Sequence, residues 1–101
     1  MNYLITYDVS NKKLRNKICK CLEKNDCKRV QKSVFLAKEM PPKIKIKLIA
    51  RLKAFVDETN PDETMHILFV PIDEEVIKKI ESIGENALWE EANEKTTFFM
   101  F

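Results

Sequence analysis

Apolar residues recur along this chain in two periods, and the switches between them mark the expected elements. Residues 2–7, NYLITY, are β-branched and aromatic over a short run, the signature of a buried strand. Ser10 then fits a helix N-cap. Leu14, Ile18, Cys21 and Leu22 follow at i, i+4, i+7 and i+8, which predicts a helix to about Asn25 with that set facing inward. Lys12, Arg15, Lys17, Lys20 and Lys24 fill the rest of its circumference. Asn25-Asp26 makes a left-handed stop, because both side chains tolerate positive φ better than most.

Lys28 to Lys38 reads as a strand with Val30, Val34, Phe35 and Leu36 as its apolar content, bent or bulged near Ser33 where the alternation slips by one residue. Met40-Pro41-Pro42 breaks it. A second helix is expected from Lys43 to about Glu58, with Leu48, Ile49, Leu52, Phe55 and Val56 on one stripe. Thr59 to Asp62 is a turn signal, and Met65 to Val70 a further strand. Asp73 then caps a third helix with Val76, Ile77, Ile80 and Ile83 inward, up to Gly84. The last run, Thr96 to Phe101, is apolar enough to add as a strand to a sheet of this chain or of a partner.

Strand, helix, strand broken near Ser33, helix, strand, helix and final strand predict an α+β fold. The expected form is a ferredoxin-like sandwich, an antiparallel sheet with helices on one face. The other face needs cover, and a second subunit is the simplest, so sheets packed in a homodimer are expected. With 101 residues there is length for a single domain, 1–101. Residues 85–101, an acidic segment and the final strand, are assigned to dimer or partner contacts.

Composition sharpens the picture where charge is concerned. Between Lys12 and Lys53 there are 15 Lys or Arg against Glu23, Asp26 and Glu39, whereas Asp57 to Glu94 holds 12 acids against Lys78 and Lys79. Segregation of this kind either solvates helices that neutralise each other across the fold or makes one surface suited to a polyanion. The apolar run at residues 3–7 is too short for a signal or a transmembrane segment, so a cytoplasmic protein without membrane contact is expected. Cys19, Cys21 and Cys27 match no zinc spacing and read as partly buried free thiols. Gly84 is the only glycine, which excludes a P-loop or Rossmann turn, and the glycine-aromatic signature of an RNA-recognition domain is absent.

Two residues remain as candidates for chemistry. His66, alone on a predicted strand, reads as packed or exposed rather than catalytic. Asp8 ends the first strand, and it is either a loop acid near a cap or a metal ligand. A hard divalent ion takes several oxygens, and no second acid follows within a dozen residues. If metal binds here, Asp8 of a two-fold-related subunit is the economical source of the second carboxylate.

Two segments, Tyr3 to Lys17 (YLITYDVSNKKLRNK) and Lys28 to Phe35 (KRVQKSVF), together resemble the Cas2 family of CRISPR-associated proteins. The matching motifs are Tyr7-Asp8-Val9, Arg15-Asn16-Lys17 and Arg29-Val30-Gln31-Lys32-Ser33-Val34-Phe35, and His66 to Ile80 looks like the family's fourth strand and following element. The resemblance implies a homodimer in which two Asp8 carboxylates hold one Mg²⁺ or Mn²⁺ ion. It places Tyr7, Arg15, Arg29, Ser33 and Phe35 near the site or the dimer junction, and Lys12, Lys13, Arg15, Lys17 and Arg29 on nucleic acid. The implied activity is metal-dependent endonuclease cleavage of single-stranded RNA, double-stranded DNA or both, at the spacer-acquisition stage of CRISPR antiviral defence. The implied alternative is a non-catalytic dimeric DNA-binding scaffold bridging CRISPR integrase subunits. Lys17 stands where some relatives have arginine, Leu36-Ala37 replaces a glycine-containing pair, Lys32 replaces a frequent tyrosine or asparagine, and Asn25-Asp26 takes the place of a glycine turn. A ferredoxin-like regulatory domain that binds no nucleic acid is the remaining reading.

Overall fold

The computed structural model describes residues 1–84 and 89. Its elements run β1 (Asn2–Val9), α1 (Lys12–Lys24), β2 (Lys28–Gln31), β3 (Val34–Ala37), α2 (Pro42–Asp57), β4 (Met65–Ile72) and α3 (Glu74–Lys79). The strands form one sheet in the order β2-β3-β1-β4, and every neighbouring pair is antiparallel. β1 lies inside the sheet, flanked by β3, the second strand of the hairpin that follows α1, and by β4, which follows α2. This is the ferredoxin-like α+β arrangement. No helix among the described residues is long and apolar enough to cross a membrane.

Alternation along β1 divides the sheet into two faces. Tyr3, Ile5, Tyr7 and Val9 are buried and pack with Leu14, Ile18 and Leu22 of α1 and Leu48 and Leu52 of α2. Ile5, Ile18 and Leu22 are wholly buried, and each side chain of that size contributes about 1.5–3 kcal/mol when taken out of water. The opposite face of β1 presents Leu4, Thr6 and Asp8. There α3 covers only one end, where Ile77 packs with Val30, Leu36 and Ile72, and Leu4, Val34, Ile80 and Trp89 join the cluster. The two long helices thus lie on one face and the short one closes part of the other.

Several local expectations shift by a residue or a turn, each for a visible reason. The cap of α1 is Asn11, whose Oδ1 accepts from the Leu14 N–H at 3.0 Å. Ser10 is occupied elsewhere, because its N–H donates to the Thr64 carbonyl at 3.0 Å and its Oγ accepts from the Thr64 N–H at 2.9 Å. The irregularity before Ser33 is a full hairpin, with a register shift between Arg29 and Gln31 and a turn at Lys32 and Ser33. Asp26 does take a left-handed conformation, with φ 61°. Val56 is 45% exposed, not on the inner stripe. Leu48, Leu52 and Phe55 define that line, and Val56 lies about 80° round from Leu48. Ile83 is 96% exposed, because α3 ends at Lys79 and Ile80 is already extended, so the helical period stops short of it. Val76 is also exposed, and Ile77 takes the inward position. The Asp73 cap holds, its Oδ1 accepting from the Val76 N–H at 2.9 Å. The expected strand over Thr96 to Phe101 and the acidic segment before it lie outside the described residues.

Candidate metal and nucleic-acid site

The C-terminal end of β1 carries different chemistry on its two faces, because Tyr7 and Asp8 are adjacent in a strand. Asp8 projects from the open face and is exposed. Directly opposite it in β4 stands His66, also exposed, and the pairs that continue the face are Thr6 with Leu68 and Leu4 with Val70. Leu68 is 48% and Val70 42% exposed, so a half-exposed apolar stripe runs up to the Asp8–His66 pair among the described residues. Among the described residues no group of three or more His, Cys, Asp and Glu is placed to hold a metal ion. Among the described residues Asp8 is thus the one carboxylate at this strand end, and a hard divalent ion there would take its other oxygens from a second chain, from water or from phosphate.

Behind the sheet, on the helix face, Tyr7 lies at the floor of a cavity of about 290 Å³ lined with Arg15, Cys19, Lys20, Arg29 and Lys32 among others. The Tyr7 hydroxyl donates to the Lys32 carbonyl at 2.9 Å and is 2.9 Å from the Cys19 Sγ. Because its one hydrogen goes to the carbonyl, the Cys19 thiol is the donor in the second bond. Burial, and after it the Cys19 contact, pushes the Tyr7 phenol up to about 12, against the downward pull of Arg29 and Arg15. Tyr7 is therefore a neutral anchor between β1, α1 and the hairpin turn, not a base at neutral pH.

The two arginines are held by backbone carbonyls. Arg15 Nη1 donates to the Val9 carbonyl at 3.3 Å, and Arg29 Nη2 donates to the Lys32 carbonyl at 2.7 Å. Each guanidinium keeps further N–H groups for phosphate oxygens. Ser33 accepts the Tyr7 N–H through its carbonyl at 3.1 Å. Phe35 is wholly buried, with its ring centroid 5.9 Å from that of Tyr7. The structure thus brings Tyr7, Arg15, Arg29, Ser33 and Phe35 together on one side of the strand end and sets Asp8 on the other.

Lys12 and Lys13 are exposed on the first turn of α1, while Lys17 pairs with Glu58 at 3.5 Å. A second and larger groove, about 510 Å³, runs between α1 and α2 and is lined by Lys17, Lys20, Lys24, Lys47 and Arg51. In it burial raises the Cys21 thiol above its ordinary range, and Arg51 and Lys24 pull it down. Burial first, then Cys21 and Asp26, push Cys27 up to about 12. All three cysteines are free, as expected.

This geometry sits in a chain whose residues 1–80 match the model of the family described as CRISPR-associated protein Cas2. The chain belongs to the Cas2 family. Among its relatives is "CRISPR-associated endoribonuclease Cas2 2" of Pyrobaculum aerophilum, 32% identical over 65 residues that make up 64% of this chain and 70% of the relative. A solved structure described as a partial Cas6-RT-Cas1–Cas2 complex contains a similar chain, with TM-score 0.68, 33% identity and coverage of 81% of this chain and 83% of that one. A crystal structure of a Cas2 protein shares the fold at TM-score 0.61 and 24% identity, over 86% of this chain and 90% of the other. Within this Cas2 frame, the sequence places Lys20, Lys24, Lys47 and Arg51 in the basic half of the chain without singling them out, because their convergence depends on how α1 packs on α2. It also set aside His66, whose place beside Asp8 follows from the β1–β4 register.

Proposed function

We propose that this Cas2-family protein is a homodimeric, metal-dependent endonuclease acting at the spacer-acquisition stage of CRISPR defence. The observation that carries the proposal is the position of Asp8, an exposed carboxylate on β1 beside a stripe of β4 that the described residues leave half exposed. A second copy laid over that stripe covers Leu68 and Val70 and sets two Asp8 carboxylates near one axis. A bound Mg²⁺ or Mn²⁺ supplies polarisation of the scissile phosphate and a water of lowered pKa. The paired Asp8 side chains would hold it there. Arg15 and Arg29, at the same strand end but on its helix face, hold the phosphates of a nucleic-acid strand that rounds the sheet. Tyr7 and Arg29 bond the same Lys32 carbonyl at the hairpin turn, and Arg15 is held by the Val9 carbonyl. Single-stranded RNA and duplex DNA are the substrates to assay, each labelled, with and without metal. Asp8→Ala is expected to abolish cleavage, and cleavage by that variant at the wild-type rate refutes the mechanism.

A second reading, a DNA-binding scaffold that bridges CRISPR integrase subunits, is favoured by a separate observation. The basic groove between α1 and α2 lies away from Asp8 and collects five cations, and a solved relative is described within a complex that contains Cas1. Duplex binding that persists in Asp8→Ala, falls with salt and weakens on charge reversal of these cations supports it. Absence of duplex binding at every ionic strength refutes it.

A further inference from the structure

We propose that His66 is a second ligand to the metal held by Asp8, so that a dimer offers two carboxylates and two imidazoles and selects a first-row transition ion over Mg²⁺. The proposal rests on the paired-Asp8 reading above and adds to it a residue and a class of metal. Its basis is the register that makes Asp8 and His66 directly opposed in neighbouring antiparallel strands. Opposed residues share a face with Cβ atoms about 4.5–5.5 Å apart. Both side chains are exposed and project from the open face. Carboxylate and imidazole atoms bound to one ion at about 2.0–2.2 Å stand about 3 Å apart, a separation that side chains on opposed positions reach without backbone movement.

The surroundings favour this use. The pair closes the polar end of the stripe made by Leu68 and Val70. A second sheet laid on that stripe brings the two Asp8 carboxylates together and withdraws them from water, where two like charges are strongly unfavourable without a cation. One carboxylate per chain gives two protein donors. Adding His66 gives four, the number that transition-metal sites commonly use. Imidazole nitrogen suits Zn²⁺, Fe²⁺ and Ni²⁺, carboxylate oxygen suits Mg²⁺ and Mn²⁺, and a mixed set binds Mn²⁺ or Zn²⁺ more tightly than Mg²⁺.

His66 is the single histidine of the chain, so its ligation is read without ambiguity. The full-length protein is titrated with Mn²⁺ by electron paramagnetic resonance, and histidine nitrogen coupling to the bound ion is recorded by a pulsed method with natural-abundance and ¹⁵N-labelled histidine. The expected result is an Asp8-dependent site with imidazole coupling that changes with the label, and an affinity about 10-fold lower in His66→Gln with a smaller preference for Mn²⁺ over Mg²⁺. Asp8-dependent Mn²⁺ binding without histidine coupling, and unchanged in His66→Gln, overturns the role of His66 and leaves the paired carboxylates standing. No Asp8-dependent Mn²⁺ binding overturns both. If His66→Gln does not fold, the coupling in the labelled wild-type protein alone decides.

Discussion

The two faces of the sheet share the same strands but differ in how far a single chain completes them. On the helix face, Tyr3, Ile5, Tyr7 and Val9 meet two amphipathic helices, and Ile5 and Ile18 are wholly buried. On the open face, α3 covers only the end near Ile72 and leaves Leu68 and Val70 nearly half exposed beside Asp8 and His66. Alternate residues of one strand thus divide between the packed core and the exposed face that carries the proposed site. A substitution at Tyr3, Ile5, Tyr7 or Val9 is expected to be felt as stability, and one at Asp8 as activity or association.

The sharpest way to break that contrast is to cut into each face in turn. Ile18→Ala is expected to destabilise the chain by about 2–5 kcal/mol in urea unfolding, because a wholly buried side chain leaves a cavity. Asp8→Ala should lower metal-dependent cleavage by about 100-fold or more, with unfolding free energy within about 0.5 kcal/mol of wild type, since the residue is exposed. A smaller effect concerns alkaline pH. Tyr7 and Cys27 are both raised to about 12 in the folded chain, from 10.0 and 9.0. The unfolded chain loses these protons first, so the folded state binds more protons and stability falls as pH rises from about 9 to 12. Tyr7→Phe should flatten the upper part of that fall, above about pH 10, in pH-resolved chemical denaturation, and an unchanged slope contradicts the buried phenol. At the cap of α1, Asn11→Ala should cost about 1 kcal/mol. Least in size, Arg29→Ala should reduce the slope of log affinity against log salt for duplex DNA by about 1, while Asp8→Ala leaves that slope unchanged.

How much of this was legible from sequence follows from which contacts are local. The period of Leu14, Ile18 and Leu22, the Asp73 cap and the left-handed Asp26 are set within a few residues, and the sequence-based expectation matched them. Ser10 was read as the cap because serine is a good one, but a partner more than fifty residues away, Thr64, claims both its backbone and its hydroxyl. Val56 and Ile83 were placed inward because an ideal stripe continues past the point where α2's inner line drifts and α3 stops. Tyr7-Asp8-Val9 carried enough to single out Asp8, and alternation separates its face from that of Tyr7. The pairing of Asp8 with His66 is a matter of register across the whole length of β1 and β4, which no short window contains.

The most direct test of the central claim is the count of Mn²⁺ ions retained per chain in equilibrium dialysis, with the oligomeric state measured on the same sample by sedimentation. A site shared across a two-fold axis predicts a dimer that retains one ion per two chains and loses it in Asp8→Ala. One ion on each chain, a monomer at all concentrations, or retention that survives Asp8→Ala contradicts it.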